Sequence, residues 1–417
     1  MRAYIVGGAV RDALLGLAVK DRDWVVVGET PEAMIARGYR PVGRDFPVFL
    51  HPESHEEYAL ARTERKSGHG YTGFICHAAP DVTLEEDLLR RDLTINAIAR
   101  DHDGALIDPH GGVRDLEARI FRHVSPAFAE DPLRILRIAR FAARYTDFTL
   151  APETLALTRQ MVASGELDHL VAERVWQEVS RGLMEARPSR MIEVLRACGA
   201  LAVILPELDR LFGVPQPPQY HPEIDTGLHV LQVIDRAARA RYPLPVRWGA
   251  LLHDLGKGET AADILPHHYG HEARSAVLAE QVSHRLKTPA PCREFATLFA
   301  REHGIFGRIA QLNASTVVKI LERCDVSRRP ERFLALLDAA RCDPPRRDGE
   351  GVEHWPPHAT WLTVLAAFSS VDAGALARAC REPHHIPARI HGARVAAVAA
   401  CLKPQQPAST LPAPGVL

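Results

Sequence analysis

The chain has 417 residues, room for two to four domains at the usual ~150 residues each. Hydrophobic residues make up 46% and charged residues 25%, a globular composition that excludes a long disordered or fibrous region. The formal net charge of −1 excludes a uniformly basic nucleic-acid binder, so any such partner must be held by a local patch. All but six of the 51 basic residues are arginine, which suits forked recognition of phosphates and base edges, although codon bias yields the same imbalance. The seven cysteines are widely spaced with no Cys-x-x-Cys pair, so buried thiols are expected rather than disulfides or a zinc ribbon. The longest uncharged apolar run, Ala359 to Val371, falls short of the ~20 residues of a bilayer span. No membrane helix is expected. The N-terminus lacks a small-residue cleavage site, and a cytoplasmic protein is expected.

Tyr4-Ile5-Val6 reads as a buried strand ending at Gly7-Gly8; Ala9 to Leu15 reads as a short helix stopped by Gly16; Trp24 to Val27 reads as a second strand. The first ~125 residues mix such strands with helices, and almost everything after them has helical periodicity. From about 131 to 211 apolar and charged residues alternate at helical spacing, and the cluster Gly213-Val214-Pro215-Gln216-Pro217-Pro218 then breaks the pattern. A histidine-rich segment runs from His221 to His303, and the end from Pro404 to Leu417 is proline-rich and expected to fray.

Asp21-Arg22-Asp23 leads into the strand at Trp24, and strand alternation puts both carboxylates on one face, where they can share metal ions. Two ions held this way clamp the attacking and leaving oxygens of a phosphoryl displacement; taken alone, the pair also fits a solvated turn. Gly7-Gly8 upstream offers bare backbone amides to a phosphate chain. The ordered set Gly7-Gly8-Ala9-Val10-Arg11-Asp12, Lys20-Asp21-Arg22-Asp23 and Arg90-Arg91-Asp92-Leu93-Thr94-Ile95-Asn96-Ala97 resembles the class II tRNA nucleotidyltransferase and poly(A) polymerase family, within the polymerase-β-like nucleotidyltransferases. The resemblance continues through Asp108-Pro109, Gly111-Gly112 and Glu130-Asp131-Pro132-Leu133-Arg134. It implies that Asp21 and Asp23 hold catalytic Mg2+ and that Gly7, Gly8, Arg11, Arg91 and Asn96 belong to the nucleotide site. Asp92 is implied there too, either in ribose recognition or as a further carboxylate.

From Asp131 the steps to Arg134, Arg137, Arg140 and Arg144 are 3, 3, 3 and 4, a charged stripe on one helix with Leu133, Ile135, Leu136, Ile138 and Phe141 between. Such arginines need anionic or polar partners, and Glu130 and Asp131 are the nearest in sequence. The resemblance implies instead that Asp131 and Arg134 act as a protein template for the incoming base, with Arg137 and Arg140 completing the pocket. A carboxylate accepts from the exocyclic amino group of cytosine or adenine and a guanidinium donates to the neighbouring ring acceptor, whereas uracil and guanine present a carbonyl to the carboxylate and are refused.

His253-Asp254 follows the apolar stretch Trp248 to Leu252, with His229 upstream and His268 and His271 beyond. Imidazole and carboxylate ligands suit a divalent transition metal, although a His-Asp pair also occurs as a satisfied core histidine. With Leu255-Gly256-Lys257-Gly258 the segment resembles the HD-domain phosphohydrolases, which implies a site for Ni2+ or another divalent transition metal at His229, His253 and Asp254. In that resemblance a late acidic residue follows a histidine within Arg301-Glu302-His303-Gly304; Gly304 occupies its place, and a weakened metal site is expected.

The expected architecture is α+β: a small polymerase-β-like nucleotidyltransferase head at 1–125, a helical neck for base recognition at 126–220, an HD domain at 221–330 and a helical tail at 331–417. The resemblance implies template-independent addition of C, C and A to the 3′ end of tRNA from CTP and ATP, releasing pyrophosphate. The helical body is then expected to grip the acceptor and T arms by shape and phosphate contacts, with no obligatory protein partner and no membrane. Three alternatives stand beside it: a poly(A) polymerase, which commonly has a basic tail; a protein-modifying uridylyltransferase, a much longer chain; and a metal phosphohydrolase whose head only binds nucleotide.

Overall fold

The computed structural model describes residues 1–42, 48–66, 74–218, 223–344 and 352–402; His221 and the segment Pro404 to Leu417 lie outside them. Two compact units are present, one holding Met1–Asp209 together with Arg285–Lys287, the other holding the rest of the described chain.

The first unit is built on strands β1 (Arg2–Val6), β2 (Asp23–Val27), β3 (Arg40–Val42), β4 (Val48–Leu50), β5 (Glu57–Leu60), β6 (Thr63–Lys66), β7 (Phe74–His77), β8 (Ala99–Arg100) and β9 (Leu106–Ile107). Seven of them form one mixed sheet in the order β3-β4-β5-β2-β1-β8-β9, while β6 and β7 pair as a separate ribbon. Central β2 is buried on both faces, which explains its run of valines. Alternation sends Val25 and Val27 against Val82, Leu84 and Leu88, and sends Val26 against Met34, Phe49 and Leu60. Short helices α1 (Gly8–Leu14), α2 (Pro31–Ala36), α3 (Leu84–Leu89) and α4 (Gly112–Glu117) close this part. The motif Asp108-Pro109 proves structural: both carboxylate oxygens of Asp108 accept from the α4 amides, Gly112 N at 2.7 Å and Val113 N at 2.9 Å.

Two pairings fix where the chemistry sits. Antiparallel β1 and β2 place Val6, the last residue before the glycine turn, opposite Asp23. Parallel β2 and β5 place Asp23 opposite Glu57. Strand β10 (Ile120–Phe121) then pairs with β11 (Thr149–Leu150) across helix α5 (Leu133–Arg144). The remaining helices of the unit are α6 (Pro152–Ala163), α7 (Ala172–Leu183), α8 (Ser189–Ala197), α9 (Ala200–Ile204) and α10 (Pro206–Asp209). Helix α5 packs on α7 and α8 through a nearly continuous apolar surface that includes Ile135, Leu136, Ile138 and Ala142.

The second unit is all helical among its described residues: α11 (Thr226–Arg239), α12 (Leu244–Leu252), α13 (His271–Arg285), α14 (Ala290–Phe306), α15 (Ala314–Arg323), α16 (Pro330–Ala340), α17 (Pro356–Ser369), α18 (Ala373–Arg378) and α19 (Ile386–Leu402). Helix α12 is buried from Val246 onward and packs on α11, α14 and α16. Phe295, Phe299, Phe306, Phe333, Trp361 and Phe368 fill the core beside it. The stretch Pro356–Arg378 is long and apolar enough for a membrane span by length and composition, with a mean hydropathy of 1.3. It is divided where Asp372 caps α18 by accepting from Ala375 N, and its Trp361, Val364 and Phe368 belong to this core. The expectation of buried thiols holds for Cys198, Cys292, Cys324 and Cys342, whereas Cys380 and Cys401 are partly exposed; the Cys76 side chain lies outside the description.

Candidate active and metal sites

The chain leaves β1 at Gly7 with φ +67°, a backbone that side-chain-bearing residues rarely adopt, and a Cβ there would sit 3.0 Å from the Arg91 guanidinium. Helix α1 starts immediately, so the turn stands beside Asp23 and opens into a cavity of about 670 Å³. Gly7, Gly8, Arg11, Asp23, Arg91, Asp92, Asn96, Asp131, Arg134, Arg137 and Arg140 all line that cavity, as does Glu57. Asp21 precedes the strand, is exposed, and is not among the lining residues. Its charge still reaches Asp23, whose carboxyl is pushed above its ordinary range by burial, with Arg91 opposing and Asp21 adding. Asp21 and Asp23 repel each other at a partly buried edge, which favours a bound cation, and their oxygen donors are of the kind that suits Mg2+; Glu57 stands opposite Asp23 on β5 and lines the same cavity.

The arginines are held by carboxylates, of which Asp87 and Glu178 were not singled out from the sequence. Arg90 and Arg91 are not a solvated face: both fork onto Asp87, which is fully buried, with contacts of 3.0 Å and 3.2 Å. Three arginines of the α5 stripe reach carboxylates on other elements. Arg137 pairs with Asp92 at 2.8 Å, Arg140 with Glu178 at 2.6 Å, and Arg144 with Asp12 at 2.7 Å. Asp131 takes Arg174 from α7 at 3.2 Å and accepts from Leu133 N, while Arg134 donates to the carbonyls of Ala127 and Arg90. These anchors fix the rotamers of long side chains before any ligand arrives.

Asp92 is the hub. It accepts from Leu93 N at 2.8 Å, Asn96 Nδ2 at 2.9 Å and Arg137 Nε at 2.9 Å, and Asn96 Oδ1 in turn accepts from Arg11. Burial alone would raise its carboxyl, but Arg137 and Asn96 hold it below the ordinary range. Asn96 is itself buried and spent on Arg11 and Asp92, so its side chain positions the cavity wall.

In the second unit His253 caps α12 and Asp254 follows it, both fully buried. His253 donates Nδ1–H to the Ala250 carbonyl at 2.8 Å, which turns Nε2 inward. His229 meets Glu223 through Nδ1 and also turns Nε2 inward, 3.8 Å from Asp254 Oδ2. The late acidic residue is present, and it is not at Gly304. Asp343, just past α16, places Oδ1 3.0 Å from His229 Nε2 and 3.6 Å from His253 Nε2. The expected vacancy at Gly304 is therefore corrected, because a residue distant in sequence supplies the carboxylate. Glu302, beside Gly304, is bound in a fork by Arg323. His268 is engaged by Thr260 and the Pro215 carbonyl and does not join the cluster, whereas His271 and His303 do.

Burial works against a charge on His253, but Asp254 and Asp343 outweigh it and raise the imidazole to about 10. Both carboxyls are held well below their usual value, so this pocket demands positive charge. Lys257 supplies one at 2.7 Å from Asp254 Oδ2. His253 Nε2 and Asp254 Oδ1 are buried without a hydrogen-bond partner among the described residues. An unpartnered ring nitrogen on a histidine whose other nitrogen is already held, beside an unpartnered carboxylate oxygen, fits a divalent transition metal.

Three family models match the chain: a poly(A) polymerase head domain over residues 3–122, a probable RNA and SrmB-binding site of polymerase A over 147–212, and an HD domain over 226–329. Asp343 lies beyond the last of these. The chain is 71% identical to the multifunctional CCA protein of Azoarcus sp. over 400 residues, 96% of this chain and 97% of that one. It is 66% identical to the multifunctional CCA protein of Aromatoleum aromaticum, again over 96% of this chain and 98% of the other. Its fold is similar to the Thermotoga maritima CCA-adding enzyme complexed with tRNA, with a TM-score of 0.63 at 21% identity, over 96% of this chain and 87% of that one. It is also similar to the Bacillus stearothermophilus CCA-adding enzyme in complex with CTP, with a TM-score of 0.63 at 22% identity, over 95% and 89%.

Proposed function

As the chain belongs to the multifunctional CCA protein family, we propose that its head cavity adds and repairs the terminal C, C and A of tRNA, using CTP and ATP and releasing pyrophosphate. One observation carries this reading. The glycine turn, Asp23, Arg91 and the Asp131–Arg134 pair line a single cavity although they span the sequence from 7 to 134.

The glycine turn offers backbone amides to the triphosphate, and Arg11 and Arg91 neutralise its oxygens. Asp131 accepts from the exocyclic amino group of the base and Arg134 donates to the adjacent ring acceptor, so C and A fit where U and G do not. Arg137 and Arg140 close the far wall over Phe141, with guanidiniums 5.8 Å and 4.7 Å from its ring centre. Asp21, Asp23 and Glu57 would hold Mg2+, which when bound favours the tRNA 3′-oxygen as nucleophile and neutralises the departing pyrophosphate. The helices after α5 would hold the acceptor and T arms through shape and phosphate contacts. A cytoplasmic location agrees with such a substrate.

The deciding assay supplies tRNA lacking its CCA end with labelled CTP plus ATP, and separately with UTP, GTP or ATP alone. Addition that stops after C, C and A supports the reading. A long adenosine tract from ATP alone would assign the chain to poly(A) polymerase, and no addition at all would leave the head as a nucleotide-binding module.

A second reading concerns the other unit. The entry of Asp343 into the His229, His253 and Asp254 group favours a metal-dependent phosphohydrolase there, acting on 2′,3′-cyclic or terminal phosphates with Ni2+, Mn2+ or Co2+. Hydrolysis of a 2′,3′-cyclic nucleotide that vanishes with chelator and in Asp343→Asn supports it, and no hydrolysis under any of the three metals refutes it.

A further inference from the structure

The two ends of helix α5 are tied to two different parts of the head. Its start is tied to the segment between α3 and β8, where Arg134 donates to the Arg90 carbonyl at 2.7 Å and Arg137 pairs with Asp92 at 2.8 Å. Its end is tied to α1 through one carboxylate. Asp12 Oδ1 accepts from the Tyr145 hydroxyl at 2.6 Å, and Asp12 Oδ2 accepts from Arg144 Nη2 at 2.7 Å. The same Oδ1 accepts from Nε of the neighbouring Arg11 at 2.9 Å, and the Arg11 guanidinium lies 5.1 and 5.0 Å from the ring centres of Phe141 and Tyr145. Burial alone would raise the Asp12 carboxyl, but Tyr145, Arg11 and Arg144 together hold it below its ordinary range. The acceptor is therefore charged at neutral pH, and each of these bonds is charge-assisted.

Asp12 and Tyr145 are both buried, and neither is among the residues lining the head cavity, so neither touches a nucleotide bound there. The elements they join do. Helix α1 begins at Gly8, directly after the turn at Gly7, and α5 carries Arg134 one residue from its start. Tyr145 caps the other end of α5, about 16 Å along the axis from Arg134, so an end left free to swing tilts the base-reading residues about their anchors. A nucleoside triphosphate is gripped at two points, and the two grips reinforce each other only while their separation is fixed; half-sites that move independently keep their separate affinities and lose the reinforcement.

We propose that Asp12 and Tyr145 are positioning residues for the incoming nucleotide: by joining α1 to the end of α5 they fix the span between the glycine turn that takes the triphosphate and the Asp131–Arg134 pair that reads the base. The inference rests on the reading that the head cavity takes CTP and ATP.

The test separates that span from its two ends. Wild type and Tyr145→Phe, which removes one oxygen and keeps the ring beside Arg11, are assayed for nucleotide addition to tRNA lacking its CCA end. The active fraction comes from single-turnover amplitude, and circular dichroism reports on folding. The KM for CTP and for ATP is expected to rise about 5- to 20-fold. The KM for tRNA, and the inhibition constant of inorganic tripolyphosphate, which occupies the phosphate end alone, are expected to stay within about twofold of wild type. A merely structural role lowers the active fraction and leaves KM alone, so a KM for CTP within about twofold of wild type would overturn the proposal. A tripolyphosphate constant that rises in step with KM would overturn it too, since the loss would then lie in the phosphate contacts of Arg11. If Tyr145→Phe fails to fold, Asp12→Asn, which keeps the shape and one acceptor oxygen, is judged by the same readings. Wild type that adds no nucleotide would overturn the reading of the cavity itself and the joint with it.

Discussion

Asp92 ties the phosphate end of the head cavity to its base-reading wall, and replacing it tests that linkage directly. Asp92→Ala removes the acceptor for Leu93 N, Asn96 Nδ2 and Arg137, and it leaves Asn96 without one of the two groups that orient it toward Arg11. Breaking a buried ion pair by removing one partner costs about 3–5 kcal/mol. The Arg137 side chain retains 37% exposure and can regain water, which places the expected loss near the lower bound, about 3 kcal/mol. For a unit of this size that is a fall in Tm of roughly 6–12 °C. The pH dependence follows from the depressed carboxyl. Its contribution is complete above the unfolded carboxyl pKa of about 3.9 and is lost as pH falls through the lower native value, so the gap between wild type and Asp92→Asn should close on acidification from about pH 5. Thermal melts of wild type, Asp92→Ala, Arg137→Ala and the double variant would measure the coupling. A loss below about 1 kcal/mol, or single effects that add within about 0.5 kcal/mol, would refute the hub.

Asp21→Ala and Asp23→Ala should each lower nucleotide addition by about 10²-fold or more while tRNA affinity stays within a few-fold; more than a tenth of the activity surviving would exclude a metal-binding role. Asp131→Ala should erode the preference for CTP and ATP over UTP and GTP by roughly 5- to 150-fold, the loss of about 1–3 kcal/mol of directional hydrogen bonding, and unchanged selectivity in single-turnover incorporation would sink the protein-template idea. Gly304→Asp should not raise cyclic-nucleotide hydrolysis, since Asp343 already supplies the carboxylate and a Cβ at 304 would stand 2.8 Å from Glu272 Oε1; a gain of activity would mean that Asp343 is not the ligand.

The head was legible in the sequence because its chemistry is local. Gly7, Gly8 and Arg11 lie within one turn and helix start, whereas the strand begins only at Asp23, so alternation does not set the face of Asp21, which precedes it. The partners of those residues were not legible. Asp87 stands a helical turn before Arg90 and Arg91, a signal available from spacing, but nothing in the order of residues pairs Arg137 with Asp92 across 45 positions or Arg144 with Asp12 across 132. Glu57 is another such case, since only the parallel register of β5 on β2 brings it opposite Asp23.

The second unit separates local from tertiary information more sharply. His253-Asp254 announces itself, yet the carboxylate that completes the group stands 114 positions from His229 in a segment, Arg341-Cys342-Asp343-Pro344, without a spacing pattern. Seeking the acid beside a histidine pointed to Gly304, and that search found the right helix for a different reason: His303 is there, aimed at the other oxygen of Asp254. Tautomers carry the information that sequence lacks. Three of the histidines around Asp254 spend Nδ1 on a main-chain carbonyl close by in the chain, Ala250, His268 or Ala300, and present Nε2 to the centre. A core histidine that needs only to be satisfied has no reason to repeat that choice, whereas a metal ligand needs its lone pair aimed and its opposite nitrogen held. The repetition around one carboxylate is what marks these residues as a candidate metal group rather than a satisfied core.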